Sequence, residues 1–190
     1  QYYKDNKNLI PIKSNHILSK ALTSNLCVAI KVALDLGIKN KTITKTIPKI
    51  KFEGRVHYVK NGKLKKTLYR NEKLLLDGCH SNKSAENLYD YLKTLNEPVY
   101  GIWGMQKNKL PKRFINSFNK IFKKIITIKI PSEPNSLSAN KLKDIGEKIG
   151  YKIKTADNII QALSKISNNK KKTIVIFGSL YLVGDALRIN

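Results

Sequence analysis

From residue 72 onward, short apolar runs alternate with amphipathic segments. The apolar runs at 72–77, 98–105, 123–130, 151–156 and 171–179 have the length and composition of buried strands. The segments at 85–95, 111–122, 139–150, 158–166 and 180–189 repeat apolar residues at helical spacing. Strands alternating with helices of about ten residues predict a mostly parallel sheet with helices on both faces. Since crossover connections are right-handed, the expected fold is a doubly wound, Rossmann-like α/β domain.

The first fifty residues follow a different pattern. Residues 24–38 predict a helix, and residues 41–50 predict a shorter helical or irregular piece that contains Pro48. Residues 51–71 read as a linker entering a β-hairpin, with Asn61-Gly62 as its two-residue turn. We therefore expect a domain boundary near residues 50–52, with a helical fragment at 1–50 and the α/β domain at 51–190.

The net charge of +24 is of the kind found in nucleic-acid-binding proteins. However, the only arginines are Arg55, Arg70, Arg113 and Arg188, and phosphate and base recognition favour arginine. The lysines are scattered among isoleucine and asparagine, and all three residue types have AT-rich codons. Codon bias therefore explains the charge more economically than a nucleic-acid partner does. A lysine-rich, non-enzymatic nucleic-acid-binding domain stays the alternative function.

No apolar run approaches the roughly 20 residues that a membrane span requires, and the opening residues lack the apolar core of a signal peptide. The two cysteines, Cys27 and Cys79, have no metal-binding spacing and indicate no disulfide framework. These patterns predict a cytoplasmic protein without a membrane partner.

Polar side chains follow several of the predicted strands. Asp77 and His80 come after the strand at 72–77, Gln106–Leu110 after the next one, and Ser179 after the last. Taken singly, these residues could be helix caps, turn residues or an exposed histidine. Because ligands of such sheets gather beyond the carboxyl ends of the strands, their shared location favours a site. No dinucleotide fingerprint or phosphate-binding P-loop is present.

The order of the motifs resembles a known family. The segments are F-E-G-R at 52–55, D-G-C-H-S at 77–81, G-I-W-G-M-Q at 101–106, P-S-E-P-N-S-L at 131–137 and G-S-L-Y-L-V-G at 178–184. Together they resemble the C-terminal region of bifunctional folylpolyglutamate synthase/dihydrofolate synthase, the folate branch of the Mur ligase superfamily. The helix at 24–38 is similar to the one that ends the family's central ATPase domain. The D-G-x-H and G-S-L-Y-L elements argue against a cell-wall Mur ligase.

The resemblance implies an ATP-dependent ligase that joins L-glutamate to dihydropteroate or folate through an acyl phosphate. It implies that Asn25, Arg55 and Asp77 contribute to ATP binding, at the adenine, the phosphates and the ribose side respectively. It places His80 and Ser179 near the incoming glutamate, and it implies a monomer.

Two motifs depart from the family pattern. In the first, Cys79 replaces an alanine and Ser81 replaces an asparagine. The second is the junction motif, which reads F-E-G-R where W-P-G-R is commoner and so puts Glu53 near the arginine implied for the phosphates. The ATPase domain, with its P-loop and Mg²⁺ ligands, is not among these 190 residues. We therefore expect the chain to be inactive alone. Whether dihydropteroate or folylpolyglutamate is preferred stays open, because the resemblance places the pterin pocket outside these residues.

Overall fold

The computed structural model describes residues 1–190, which form two compact units, Gln1–Phe52 and Glu53–Asn190. The first unit begins with a two-stranded antiparallel sheet, β1 (Tyr2–Lys4) and β2 (Leu9–Pro11). Two helices follow, α1 (Lys20–Asp35) and α2 (Asn40–Thr46), and then a 3-10 turn at Ile47–Lys49. The expectation of a purely helical first segment was therefore incomplete. Strands of three residues are too short to show a clear alternation in the sequence.

The second unit contains a six-stranded sheet and six helices. In chain order its elements are β3 (His57–Val59), α3 (Lys63–Lys66), β4 (Glu72–Asp77), α4 (Asn82–Leu92), β5 (Val99–Trp103), α5 (Pro111–Asn116), β6 (Phe122–Thr127), α6 (Ala139–Glu147), β7 (Ile153–Thr155), α7 (Ile159–Ser164), β8 (Lys172–Phe177) and α8 (Leu180–Ile189). The strand order is β3-β4-β8-β5-β6-β7, and every neighbouring pair is parallel except β3–β4. The predicted mostly parallel α/β fold is confirmed. None of the helices is both long and apolar enough to cross a membrane.

The sheet buries both of its faces, which explains the continuous apolar runs of its central strands. On one face, Leu74, Leu76 and Ile176 pack against residues of α3, α7 and α8. On the other face, aromatic rings pack around Phe177, with Phe122 stacked on it at a centroid distance of 4.8 Å and Phe118 edge-to-face at 5.1 Å. Helices cover each face, so the arrangement is doubly wound.

The predicted tight hairpin at Asn61-Gly62 is wrong. Gly62, with φ of +97°, precedes α3, and the antiparallel partner of β3 begins only at Glu72. Leu64 of this helix is fully buried in the core. Burial of an apolar side chain therefore favours a helix where the local Asn-Gly signal indicated a turn.

Candidate functional site

The carboxyl ends of β4, β8 and β5 lie side by side. Asp77 of β4 is in register with Phe177 of β8, which is in register with Trp103 of β5. The turns that follow these strands therefore meet at one edge of the sheet, and α4 and α8 begin there. The structure thus brings together Asp77, His80 and Ser179, as the strand pattern predicted.

The Asp77 carboxylate turns inward and holds two backbone segments together. Its Oδ2 accepts a hydrogen bond from the Val56 N–H at 2.9 Å, and its Oδ1 accepts one from the Cys79 N–H, also at 2.9 Å. Only 5% of the residue is exposed. Burial raises the pKa of Asp77, while the two N–H donors and the Arg55 charge oppose this shift in part. Asp77 therefore fastens the segment around residue 56 to the end of β4.

Arg55 lies on that fastened segment. Its Nη1 is 4.0 Å from Asp77 Oδ1, and 36% of its side chain is exposed. The backbone turns sharply on both sides of it, with φ of +73° at Gly54 and +45° at Val56. A positive φ is unfavourable for a β-branched residue such as valine. The hydrogen bond from the Val56 N–H to Asp77, and another from the Gly78 N–H to the Gly54 carbonyl at 2.8 Å, hold this conformation.

His80 is anchored just before α4. Its Nδ1 lies 2.9 Å from the Gly78 carbonyl oxygen, and its backbone N–H donates to Ser84 Oγ at 3.0 Å. Since a carbonyl oxygen only accepts, Nδ1 carries the hydrogen and Nε2 is the nitrogen left for another partner. Ser81 and Ser84 form a reciprocal capping box at the start of α4. Ser81 thus has a structural role as the N-cap.

Ser179 begins α8 in the same way. Its Oγ accepts a hydrogen bond from the Tyr181 N–H at 3.2 Å, and only 1% of the residue is exposed. The preceding residue, Gly178, has φ of +106°. The Tyr181 N–H uses one lone pair of the Ser179 hydroxyl oxygen, so the hydroxyl can still donate its hydrogen to a neighbouring acceptor.

Two further buried carboxylates at this edge were not singled out by the sequence analysis. Glu133 accepts hydrogen bonds from Gln106 Nε2 at 3.0 Å and from the Asn135 N–H at 2.8 Å. Asp185 accepts from the N–H and the hydroxyl of Ser132 at 3.2 and 2.9 Å. These bonds fasten the loops after β5 and β6. The signal for Asp185 in the sequence is that it is the one charged residue within the apolar run 180–187.

Asn25 lies in α1 of the first unit, on an exposed face of that helix. No group of three or more His, Cys, Asp or Glu side chains in residues 1–190 is arranged to hold a metal ion. The residues present therefore do not fit a Mg²⁺ site, and no step of the chemistry is assigned to a metal here.

The chain is similar to folate-pathway proteins. A sequence profile described as dihydrofolate synthetase, C-terminal domain, matches residues 60–189. The dihydrofolate synthetase of Saccharomyces cerevisiae is 25% identical over 167 residues, which cover 82% of this chain and 39% of the yeast protein.

Solved structures show the same fold. The folylpolyglutamate synthase of Mycobacterium tuberculosis, complexed with ADP and AMPPCP, superimposes with a TM-score of 0.79 at 16% identity and covers 95% of this chain. E. coli FolC, in complex with DHPP and ADP, superimposes with a TM-score of 0.77 at 17% identity and covers 98% of this chain. This chain spans 42% of each of those structures and 39% of the yeast relative. The profile match covers well over half of the 190 residues, and the chain therefore belongs to the dihydrofolate synthetase C-terminal domain family.

Proposed function

We propose that the chain is the C-terminal part of an ATP-dependent ligase that joins L-glutamate to dihydropteroate or folate through an acyl phosphate. The observation that carries this proposal is the family match over residues 60–189. The nucleotides in the solved M. tuberculosis relative support ATP as a substrate. Because the chain spans about two fifths of its relatives, we assign the P-loop, the Mg²⁺ ligands and the pterin pocket to residues outside this chain. A cytoplasmic location and a monomeric state stay predictions.

The first unit has a feature that supports its assignment to the end of a larger central domain. Helix α1 buries Leu22, Leu26 and Ile30 on one face. A second apolar stripe, Val28, Val32 and Leu36, is 66%, 52% and 75% exposed. A helix that is apolar on more than one face is typical of the interior of a larger domain. Asn25 lies on this helix, and we retain its proposed contact with the adenine of ATP.

Arg55 is the residue that we propose for the phosphates of ATP. Its guanidinium is partly exposed, and the backbone that carries it is held by Asp77. An arginine presented in this way can donate bidentate hydrogen bonds to phosphate oxygens. Both oxygens of Asp77 already accept backbone N–H groups. We therefore propose that Asp77 contributes to the ATP site by positioning Arg55, with any contact to the ribose secondary.

His80 and Ser179 remain the proposed contacts for L-glutamate. They precede α4 and α8, whose first turns lie at the carboxyl edge of the sheet. Helix N-termini favour anions because of their free N–H groups and the helix dipole. L-glutamate has two carboxylates, and two helix N-termini at this edge of the sheet favour their negative charges.

The chemistry requires that the charge of the transferring phosphoryl group be neutralised and that the glutamate amine be held within reach of the acyl carbon, which it attacks with release of phosphate. Bound MgATP supplies the phosphoryl group. Within this chain, Arg55 contributes positive charge near the phosphates, and the Asp77 hydrogen bonds keep its backbone from shifting. His80 and Ser179 orient the carboxylates of the incoming amino acid, so that the amine faces the acyl phosphate.

The test uses the intact protein and measures phosphate release that depends on both ATP and L-glutamate. Arg55→Ala is expected to raise the KM for ATP at least tenfold, and Asp77→Ala is expected to do the same by releasing Arg55. His80→Ala is expected to raise the KM for glutamate and leave the KM for ATP unchanged. Arg70→Ala removes an exposed arginine at the opposite end of β4 and is the matched control. Unchanged turnover in both Arg55→Ala and Asp77→Ala would show that the site assignment is wrong.

A further inference from the structure

A second polar concavity lies at the outer edge of the sheet. It has a volume of about 390 Å³ and is lined by Lys124, Lys143, Lys154, Thr155 and Lys165. We call it the lysine cavity. Its residues come from β6, α6, β7 and the end of α7. Strand β7 is four positions from β4 in the sheet, which corresponds to roughly 19 Å at the usual strand spacing. The lysine cavity is therefore distinct from the site around Asp77.

The positive charges of the lysine cavity are not balanced by acids. None of its lining residues is a carboxylate, and the only ion pair made by its lysines joins Lys143 to Glu147 at 3.8 Å. Partial burial, followed by the charges of Lys154 and Lys165, lowers the pKa of Lys124. The ammonium groups are thus close enough to repel one another, and a bound anion would relieve that repulsion.

Two of the lysines are held in place by backbone carbonyls. Lys124 Nζ donates to the Lys165 carbonyl at 3.0 Å, and Lys165 Nζ donates to the Thr155 carbonyl at 2.8 Å. Lys165 Nζ also lies 3.5 Å from Gln161 Oε1. An ammonium has three N–H donors, so each of these two lysines keeps at least one for a ligand. Side chains that are already ordered lose less conformational entropy on binding than free surface lysines do.

We propose that the lysine cavity binds a compact anion that carries several phosphate groups. Its volume lies within the range of small-molecule sites, roughly 300–1,000 Å³. Lysine ammonium groups bind phosphate as point charges, and the Thr155 hydroxyl offers one further donor. A single-stranded nucleic acid is disfavoured because it requires a basic groove with aromatic stacking platforms. The lysine cavity lies beside the edge strand β7 and has no aromatic lining residue.

The experiment titrates the 190-residue chain with inorganic tripolyphosphate at about 150 mM salt by calorimetry, since screening is then physiological. The chain is expected to bind one equivalent. The triple variant Lys124→Gln, Lys154→Gln, Lys165→Gln is expected to raise the Kd at least tenfold. The control variant changes three exposed lysines elsewhere, Lys60→Gln, Lys66→Gln and Lys170→Gln, and so has the same net charge. It is expected to raise the Kd less than twofold.

Three outcomes would overturn the proposal. An equal loss in both triple variants would mean that binding follows the overall charge of the chain. Loss of binding in Arg55→Ala would place tripolyphosphate at the carboxyl edge of the sheet instead. Tighter binding of a single-stranded oligonucleotide, abolished in the cavity variant, would assign the surface to nucleic acid. The urea unfolding midpoint of each variant, followed by Trp103 fluorescence, verifies that the fold is intact.

Discussion

Gly178 and Gly184 lie six residues apart in the same motif, and alanine is expected to have opposite effects at the two positions. Gly178 joins β8 to Ser179 with φ of +106°, a conformation that L-residues rarely adopt. A Cβ there would lie 2.6 Å from Trp103 Cδ1 and closer still to the Gly104 carbonyl oxygen. Gly184 lies inside α8, and a Cβ there meets nothing within 4 Å.

The magnitudes follow from these two environments. At Gly178, the unfavourable backbone conformation costs about 1–3 kcal/mol and overpacking adds about 1–3 kcal/mol. We expect Gly178→Ala to lower the free energy of unfolding by about 3 kcal/mol or more. At Gly184, alanine restricts the unfolded chain and favours the helix, so Gly184→Ala is expected to stabilise the protein by about 0.5–1 kcal/mol.

The assay is urea denaturation followed by tryptophan fluorescence. Trp103 is the only tryptophan and is fully buried in the second unit, so its emission reports on that unit. With a slope of about 2 kcal/mol per M urea, Gly178→Ala should shift the midpoint down by about 1.5 M. Destabilisation by less than about 1 kcal/mol, or a Gly184→Ala variant that is equally destabilised, would refute this account of the β8–α8 turn.

Three further results are expected. Lys172→Met leaves the fully buried Glu72 carboxylate without its ion-pair partner at 3.0 Å, so the free energy of unfolding should fall by about 3–5 kcal/mol. The double variant that also carries Glu72→Leu should recover most of this loss. Burial alone would raise the pKa of Glu72, but hydrogen bonds outweigh burial and lower it. Wild-type stability should therefore decline as the pH falls below 4.5 through the folded pKa, and Glu72→Gln should decline less in an acid titration monitored by fluorescence. Burial raises the pKa of Tyr151 to about 12, so stability should fall as the pH rises from about 10 to about 12. If a Tyr151→Phe variant lost the same stability over this pH range, the loss would not come from the Tyr151 hydroxyl.

Much of the fold followed from local patterns. The apolar run at 72–77 became β4 at those residues, and the helices at 139–150 and 180–189 were correct within a few residues. These elements are predictable because burial on both faces of a strand, or one face of a helix, leaves a periodic record in the sequence. The structure departs from these local patterns where contacts with distant residues determine the conformation. An example is α3, which follows an Asn-Gly pair and packs Leu64 into the core.

The candidate site shows the same division. The sequence determined that Asp77, His80 and Ser179 follow strands, and the parallel topology then brings them to one edge. The Asp77 carboxylate turns inward to the Val56 N–H, 21 residues earlier in the chain, and this contact depends on the packing of distant segments. Likewise, no pattern in the sequence joins Lys124, Lys143 and Lys165 around one cavity. Periodicity records which way a side chain faces within its own element. Its hydrogen-bond and charge partners depend on which other elements the packed core brings beside it.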